Sequence, residues 1–257
     1  MNKVIQGDCL EVMKTLEDKS IDMVLTSPPY DNLRTYNGYT FNFEGIAQQI
    51  FRVLKDGGVC VWVVGDATIK GSETGTSFRQ ALYFKEIGFN LHDTMIYEKS
   101  TSLPCSKAKR YYQSFEYMFV LSKGLPKTFN EITIKSTRSG MLDKTGHRKK
   151  DAKFSIYNGE RKEFRRLFNV WKYVVGLGGT TNDKIAFQHP AVFPEKLAED
   201  HILSWSNKGD TILDPMAGSG TTLKMAKKNN RNYIGIEISQ EYIDIINKRI
   251  AEYTCNK

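Results

Sequence analysis

The chain has 257 residues, 40% hydrophobic and 26% charged, with a net charge of +8. That is enough chain for one large domain, or a domain with an insertion, around a substantial core. No apolar run approaches the roughly 18 residues of a membrane span, and Met1–Asp8 lacks a signal-peptide core. Cys9, Cys60, Cys105 and Cys255 are scattered, with no Cys-x-x-Cys pair. A cytoplasmic protein with reduced thiols is therefore expected, with no membrane partner, metal site or disulfide framework.

Lys3–Gln6 is predicted as a short strand ending at Gly7-Asp8, followed by a helix through Leu10, Val12, Met13 and Leu16. Ile21–Thr26 is a buried-strand run that delivers Ser27-Pro28-Pro29-Tyr30. A helix with Ile46, Ile50, Phe51, Val53 and Leu54 on one face is expected to stop at Gly57-Gly58. Val59–Val64 is continuously apolar, as in a strand covered on both sheet faces. Ser77 is expected to cap a helix running to Gly88, with further strands at Thr94–Glu98 and Glu116–Ser122. From about Leu125 turn residues, basic residues and short β-like pieces (Phe129–Lys135, Phe154–Tyr157) replace this alternation. It returns with a helix from Pro190 to about Trp205, the strand Thr211–Asp214, a helix from Thr221, the strand Tyr233–Ile238 and a helix from Gln240. Alternation on both sides of an irregular stretch predicts an α/β fold, a doubly wound sheet interrupted by an insert. Residues 1–124 and 188–257 form the sheet domain in this reading, and residues 125–187 the insert.

The charge excess is local. Between Lys123 and Lys172 stand 14 Lys and Arg against 5 Asp and Glu, a net +9, so the rest of the chain is close to neutral. A concentrated basic block with interleaved aromatics fits a polyanion, although a solvated lysine-rich loop would look the same. The neighbouring motifs favour nucleic acid.

Asp214-Pro-Met-Ala-Gly-Ser-Gly-Thr-Thr222 reads as a strand end, a Gly-rich turn and a helix start. Gly218 and Gly220 permit close backbone approach, and the helix start turns amide N–H groups towards a ligand. The third glycine of the dinucleotide fingerprint and the lysine of a phosphate-binding loop are both missing, which argues against NAD and ATP. Glu237, about twenty residues on, closes the next strand, where a carboxylate accepts from ribose hydroxyls. Ser27–Tyr30 follows a strand, at the sheet edge where open α/β folds bind ligands. Its prolines fix the backbone. An exocyclic amino group can donate to the Ser27 hydroxyl and the Pro28 carbonyl while Tyr30 stacks on the ring, which makes the nitrogen a better nucleophile. A polyproline ligand is the alternative reading of Pro-Pro-Tyr, and its place behind a buried strand argues against it.

On these motifs the chain resembles the S-adenosylmethionine-dependent DNA amino-methyltransferases, in the permuted β class whose catalytic motif precedes the cofactor motif. Thr26–Tyr30 resembles the catalytic tetrapeptide with its preceding residue, Asp214–Thr222 the Gly-rich loop and Glu237 the ribose-binding acid. Asp8 sits where the family places an acid near the adenine, and His189–Leu197 matches the segment that completes the methionine-side pocket. Met216 departs from a frequent Phe, but a thioether also packs on adenine or sulfonium. The resemblance implies a Rossmann-like methyltransferase sheet, S-adenosylmethionine as cofactor and double-stranded DNA as partner. It also implies a target-recognition role for the basic insert and extrusion of the target base. Ser27, Pro28, Pro29 and Tyr30 would be catalytic. Asp8, Phe193, Asp214, Met216, Gly218, Ser219, Gly220, Thr221 and Glu237 would hold the cofactor. Arg34, Tyr36, Arg148, Lys149, Lys150, Arg165 and Arg166 would contact DNA.

Members with Ser before Pro-Pro-Tyr mostly methylate cytosine N4, and those with Asp mostly adenine N6. Cytosine N4 is therefore expected, with adenine N6 as the alternative. Cytosine C5 chemistry would need a thiolate nucleophile, and Pro104-Cys105 lies in an ordinary Ser/Lys-rich stretch. An RNA or protein-amide methyltransferase and a non-catalytic DNA-binding module are further alternatives. A dinucleotide oxidoreductase would leave Ser27–Tyr30 unexplained. A homodimer and a cognate restriction endonuclease remain open as partners.

Overall fold

The computed structural model describes residues 2–31, 41–102, 109–148, 151 and 153–252. The chain starts with β1 (Asn2–Gln6), α1 (Cys9–Lys14), β2 (Ile21–Thr26), α2 (Phe43–Val53) and β3 (Leu54–Val64). A short ribbon, β4 (Thr68–Ile69) and β5 (Ser72–Glu73), leads to α3 (Thr76–Glu86), β6 (Asn90–Lys99) and β7 (Phe115–Ser122). Next come β8 (Thr133–Lys135), β9 (Leu142–Arg148), β10 (Phe154–Glu160) and β11 (Phe164–Arg166). The remainder is β12 (Val170–Tyr173), a 3-10 turn (Lys184–Gln188), α4 (Glu195–Trp205), β13 (Thr211–Asp214), α5 (Thr221–Lys228), β14 (Asn232–Glu237) and α6 (Gln240–Glu252).

Eight of these strands form one sheet in the order β1-β14-β13-β2-β3-β7-β6-β12. Every neighbouring pair is parallel except the two made by β7, which runs against β3 and β6. Helices α1, α2 and α3 pack against one face, and α4, α5 and α6 against the other. This double cover explains the unbroken apolar runs. Met23, Val24 and Leu25 of β2 and Cys60, Val61, Trp62 and Val63 of β3 are wholly buried. The indole N–H in that layer is satisfied, since Trp62 Nε1 donates to Gln80 Oε1 at 2.8 Å.

Several element boundaries differ from expectation, three of them for a clear physical reason. β3 starts at Leu54 instead of Val59, because Leu54 is buried and already pairs with Ile21, ahead of the glycines. Ser77 does not cap α3. Gly75 holds that position, and buried Ser77 donates its N–H and hydroxyl to Asp66 (2.9 and 2.5 Å). α4 begins at Glu195, not Pro190, with Pro194 as its extended N-cap residue.

Residues Glu131–Phe168 form a separate compact unit. It consists of two antiparallel pairs, β9 with β10 and β8 with β11. It is smaller than the insert expected from the sequence, because β12 pairs with β6 and so joins the large sheet. The unit still carries 11 Lys and Arg against 5 Asp and Glu, so the basic excess resides largely there. Among the described residues, no helix is long and apolar enough to cross a membrane.

Candidate active site

The chain leaves β2 for β3 on one side and leaves β13 for β14 on the other, so the winding reverses between β2 and β13. Open sheets bind ligands outside the carboxyl ends of strands at such a reversal. The two strands are stitched together there by the buried Thr26 Oγ1, which donates to Asp214 Oδ1 at 2.8 Å. Above this bond opens a cavity of about 710 Å³, within the size range of small-molecule sites. Its walls come from the strand ends after β1 (Gly7–Cys9), β2 (Ser27–Tyr30), β13 (Met216–Ser219) and β14 (Glu237, Ile238). The segment His189–Phe193 and the ends of β6, β7 and β12 complete them.

One side of the cavity is rich in acceptors. Asp8 caps α1, accepting from Leu10 N at 2.8 Å and Glu11 N at 3.3 Å. The Glu237 carboxylate accepts from Gly218 N at 2.8 Å and Ser239 N at 3.0 Å, and burial raises its pKa. Gly7 N donates to Glu237 O at 3.0 Å, which draws the ends of β1 and β14 together. Gly218 and Gly220 both have positive φ, +51° and +79°, but the chain itself uses the space they leave. An added Cβ would lie 3.0 Å from the His189 ring at Gly218 and 2.9 Å from Ile246 at Gly220.

The other side carries Ser27–Tyr30. Pro28 is buried, while Ser27, Pro29 and Tyr30 are partly so, and all four line the cavity. The Tyr30 ring lies against Gly65. Its hydroxyl is 2.9 Å from Ser27 Oγ, donates to Glu116 Oε2 at 2.9 Å and approaches Val63 O at 3.3 Å. Glu116 in turn takes a 2.5 Å ion pair from Lys99. Burial and the neighbouring Glu116 push the Tyr30 phenol well above its usual range.

Asp8, Ser27, Pro28, Pro29, Tyr30, Phe193, Met216, Gly218, Ser219, Thr221 and Glu237 thus come together around one cavity. Asp214 and Gly220 do not line it. Asp214 stands behind the wall, holding Thr26 Oγ1 and Met216 N, and Gly220 packs under α6. Lys99 and Glu116 are wall residues that the sequence motifs do not reveal. Arg34, Tyr36, Lys149, Lys150 and Cys105 lie outside the described residues, and Arg148 ends β9. Arg165 and Arg166 are exposed on β11, the former over the Phe168 ring and the latter paired with Glu131 at 2.7 Å.

Burial pushes the Asp214 carboxyl up to about 6. The folded chain therefore holds this proton more tightly than the unfolded one. Stability from this group is fully present below the unfolded value of 3.8 and declines as pH rises to about 6, by about 3 kcal/mol. Asp214→Asn keeps a carbonyl acceptor for Thr26 and Met216 but cannot ionise. Relative to wild type, its unfolding free energy is expected to rise by about 2 kcal/mol between pH 4 and pH 8. Denaturant titrations at the two pH values measure this, and a pH-independent difference would exclude ionisation of Asp214 as the cause.

A doubly wound sheet with an acceptor-lined cavity at its reversal point, beside a rigid Ser-Pro-Pro-Tyr turn, defines a nucleotide-handling α/β enzyme. The chain belongs to the N6/N4 DNA methylase family, whose model matches residues 21–248. It is 59% identical over 245 residues to the orphan methyltransferase M.BamHII of Bacillus amyloliquefaciens, covering 93% of this chain and 92% of that one. It is 27% identical to the type II methyltransferase M.SmaI of Serratia marcescens, covering 96% and 90%. Among solved structures, the cytosine-N4-specific PvuII DNA methyltransferase superposes with a TM-score of 0.71 at 21% identity, covering 96% of this chain and 86% of that one. The M1.HpyAVI–SAM complex gives 0.64 at 22% identity, covering 97% and 100%. The protein is a DNA methyltransferase of the amino-methylating kind.

Proposed function

We propose that this protein transfers a methyl group from S-adenosylmethionine to the exocyclic amino group of a base flipped from duplex DNA, with cytosine N4 as the target. The observation that carries this is the single cavity in which Ser27–Tyr30 faces Asp8, Gly218 and Glu237. The cofactor fits the residues present. Glu237 offers a buried carboxylate whose hydrogen bonds come from main-chain N–H groups, leaving lone pairs for ribose hydroxyls. Asp8 stands one strand away for the adenine, and Met216 and Phe193 supply apolar and aromatic surface. When bound, S-adenosylmethionine supplies an electrophilic methyl group on a sulfonium.

The protein's part is to orient the acceptor nitrogen. Ser27 Oγ and the Pro28 carbonyl take the two amino hydrogens, which turns the nitrogen lone pair out of conjugation and towards the methyl. The Tyr30 ring stacks on the base, and two prolines hold the geometry so that little reorganisation is needed at reaction. Duplex DNA buries these amino groups, so the base must leave the stack. The basic unit Glu131–Phe168 is the DNA-reading part, with Arg165 and Arg166 among its exposed cations. A serine before Pro-Pro-Tyr supports cytosine N4.

Incubation with unmethylated DNA and S-adenosylmethionine, followed by nucleoside digestion and mass spectrometry, tests this reading. N4-methylcytosine is the expected product. N6-methyladenine would keep the enzyme class and overturn the base assignment, and no methylated nucleoside would overturn the proposal.

A further inference from the structure

Four side chains on the catalytic wall form one hydrogen-bonded line: Ser27 Oγ, Tyr30 Oη, the Glu116 carboxylate and Lys99 Nζ. Its polarity follows from what each group can do. Lys99 only donates, and Glu116, its ion-pair partner, only accepts. Tyr30 has one hydroxyl hydrogen. Its two other near neighbours, Glu116 Oε2 at 2.9 Å and Val63 O at 3.3 Å, are both acceptors, so that hydrogen is spent on them. Towards Ser27 the Tyr30 oxygen is therefore left as an acceptor, and Ser27 must donate its own hydrogen to it. A serine hydroxyl has one hydrogen and two lone pairs. With the hydrogen engaged by Tyr30, Ser27 presents only lone pairs to the cavity.

We infer that Glu116 is a positioning residue that fixes Ser27 as an obligate acceptor, so that the site selects an amino group over an oxo group on the target base. This rests on the function proposed above. A free serine would serve either kind of base, donating to a carbonyl oxygen as readily as it accepts from an amino hydrogen. Oriented by Glu116 through Tyr30, it behaves towards the ligand as a carboxylate would. The base with an amino group at the reacting position, cytosine or adenine, satisfies it. A base with an oxo group there, uracil, thymine or guanine, sets lone pair against lone pair.

Glu116→Gln tests the idea with little change of shape. Lys99 can only donate, so it claims the amide oxygen and leaves the amide nitrogen facing Tyr30. The Tyr30 hydrogen is then left with only the longer contact to Val63 O, at 3.3 Å, and its oxygen also takes up an amide N–H, so Ser27 is no longer held as a donor to it and can turn its hydrogen into the cavity. With DNA carrying the site found by mapping the methylated base, kcat is expected to fall about 10- to 100-fold, the scale of a lost charge-assisted hydrogen bond. S-adenosylmethionine affinity should be unchanged. In equilibrium binding without cofactor, the ratio of affinities for a duplex with the amino base at the target over the same duplex with its oxo counterpart should be higher in the wild type than in the variant, a comparison that cancels the easier flipping of the mismatched oxo base. A second substitution separates polarity from structure. Ser27→Asp in the Glu116→Gln background restores an acceptor-only group that takes the Tyr30 hydrogen. It should recover at least about tenfold in kcat over Glu116→Gln alone. An active wild type with an equally active Glu116→Gln variant would overturn the inference, as would an unchanged amino-to-oxo binding ratio. A wild type that methylates no DNA would overturn both the inference and the function it rests on.

Discussion

Replacing Tyr30 with alanine is expected to reduce methyl transfer at least about 100-fold, the cost of losing a near-attack arrangement, while S-adenosylmethionine binding is nearly unchanged. The asymmetry follows from where the residue stands. Tyr30 belongs to the turn after β2, whereas the acceptors assigned to the cofactor come from the ends of β1 and β14 and from the loop after β13. Truncation removes two things together: the ring proposed to cover the base, and the hydroxyl that receives Ser27 and reaches Glu116. Single-turnover transfer to DNA and calorimetric titration of the cofactor separate the two effects. Loss of cofactor binding as well would mean that Tyr30, which packs against the hydrophobic core, mainly holds the wall in place.

The second large effect is expected from Arg249→Met, far from the chemistry. Arg249 is wholly buried near the end of α6. Its guanidinium pairs with Asp183 at 3.0 Å and Glu195 at 2.8 Å, and donates to Ser219 O, Ser219 Oγ and Thr221 Oγ1 at 2.6, 3.1 and 3.2 Å. Lys224 reaches the same two carboxylates at 2.6 and 2.8 Å. Burial alone would raise the Asp183 pKa, but the hydrogen bonds from Lys224 and Arg249 outweigh it and hold it below the ordinary value. Without Arg249, two partly buried carboxylates share one ammonium. Removing one partner of such a network costs about 3–5 kcal/mol, a drop in Tm of roughly 6–20 °C for a chain of this size. Because the same guanidinium ties down Ser219 and Thr221 in the Gly-rich loop, cofactor affinity should weaken too, at temperatures where the variant is still folded. Thermal melts with and without cofactor measure both, and a loss of stability with unchanged affinity would show that the loop holds its shape without this anchor.

Much of the active half of the molecule is legible in the residues. Ile21–Thr26 and Thr211–Asp214 are short apolar runs closed by turn-forming residues, and both occur as strands at those limits. The helices at Thr221 and Gln240 likewise start where expected. Motifs that sit immediately after such strands must reach the same sheet edge, so the gathering of Ser27–Tyr30 and Glu237 follows from local pattern alone. Lys99 and Glu116 are harder to read. They meet only because β6 and β7 pair antiparallel with Glu98 opposite Phe115, and nothing local in a Lys or a Glu at a strand end announces that. Val170–Tyr173 is similarly hidden, a four-residue strand within a run of basic residues, placed by its pairing with β6. Asp214 and Gly220 show the reverse limit. They belong to a recognisable motif, yet the Asp214 carboxylate and the close packing at Gly220 serve the fold beneath the cavity.

The order of strands has a consequence for how the chain folds as it is made. β1 and β2 are never neighbours, because β13 and β14 lie between them. Until residues beyond about 210 leave the ribosome, β1 has no strand beside it and β2 is paired only with β3, its other edge bare. That edge bares backbone N–H and C=O groups on a strand whose Met23, Val24 and Leu25 side chains are apolar. Strands with bare edges are the features that drive nascent chains to associate wrongly, and pairings this distant in sequence form slowly. The last fifth of the chain thus acts as the keystone of the sheet, and the same late step completes both halves of the cavity. A ribosome that stalls before β13 would release a fragment without a finished sheet and without the means to mark DNA.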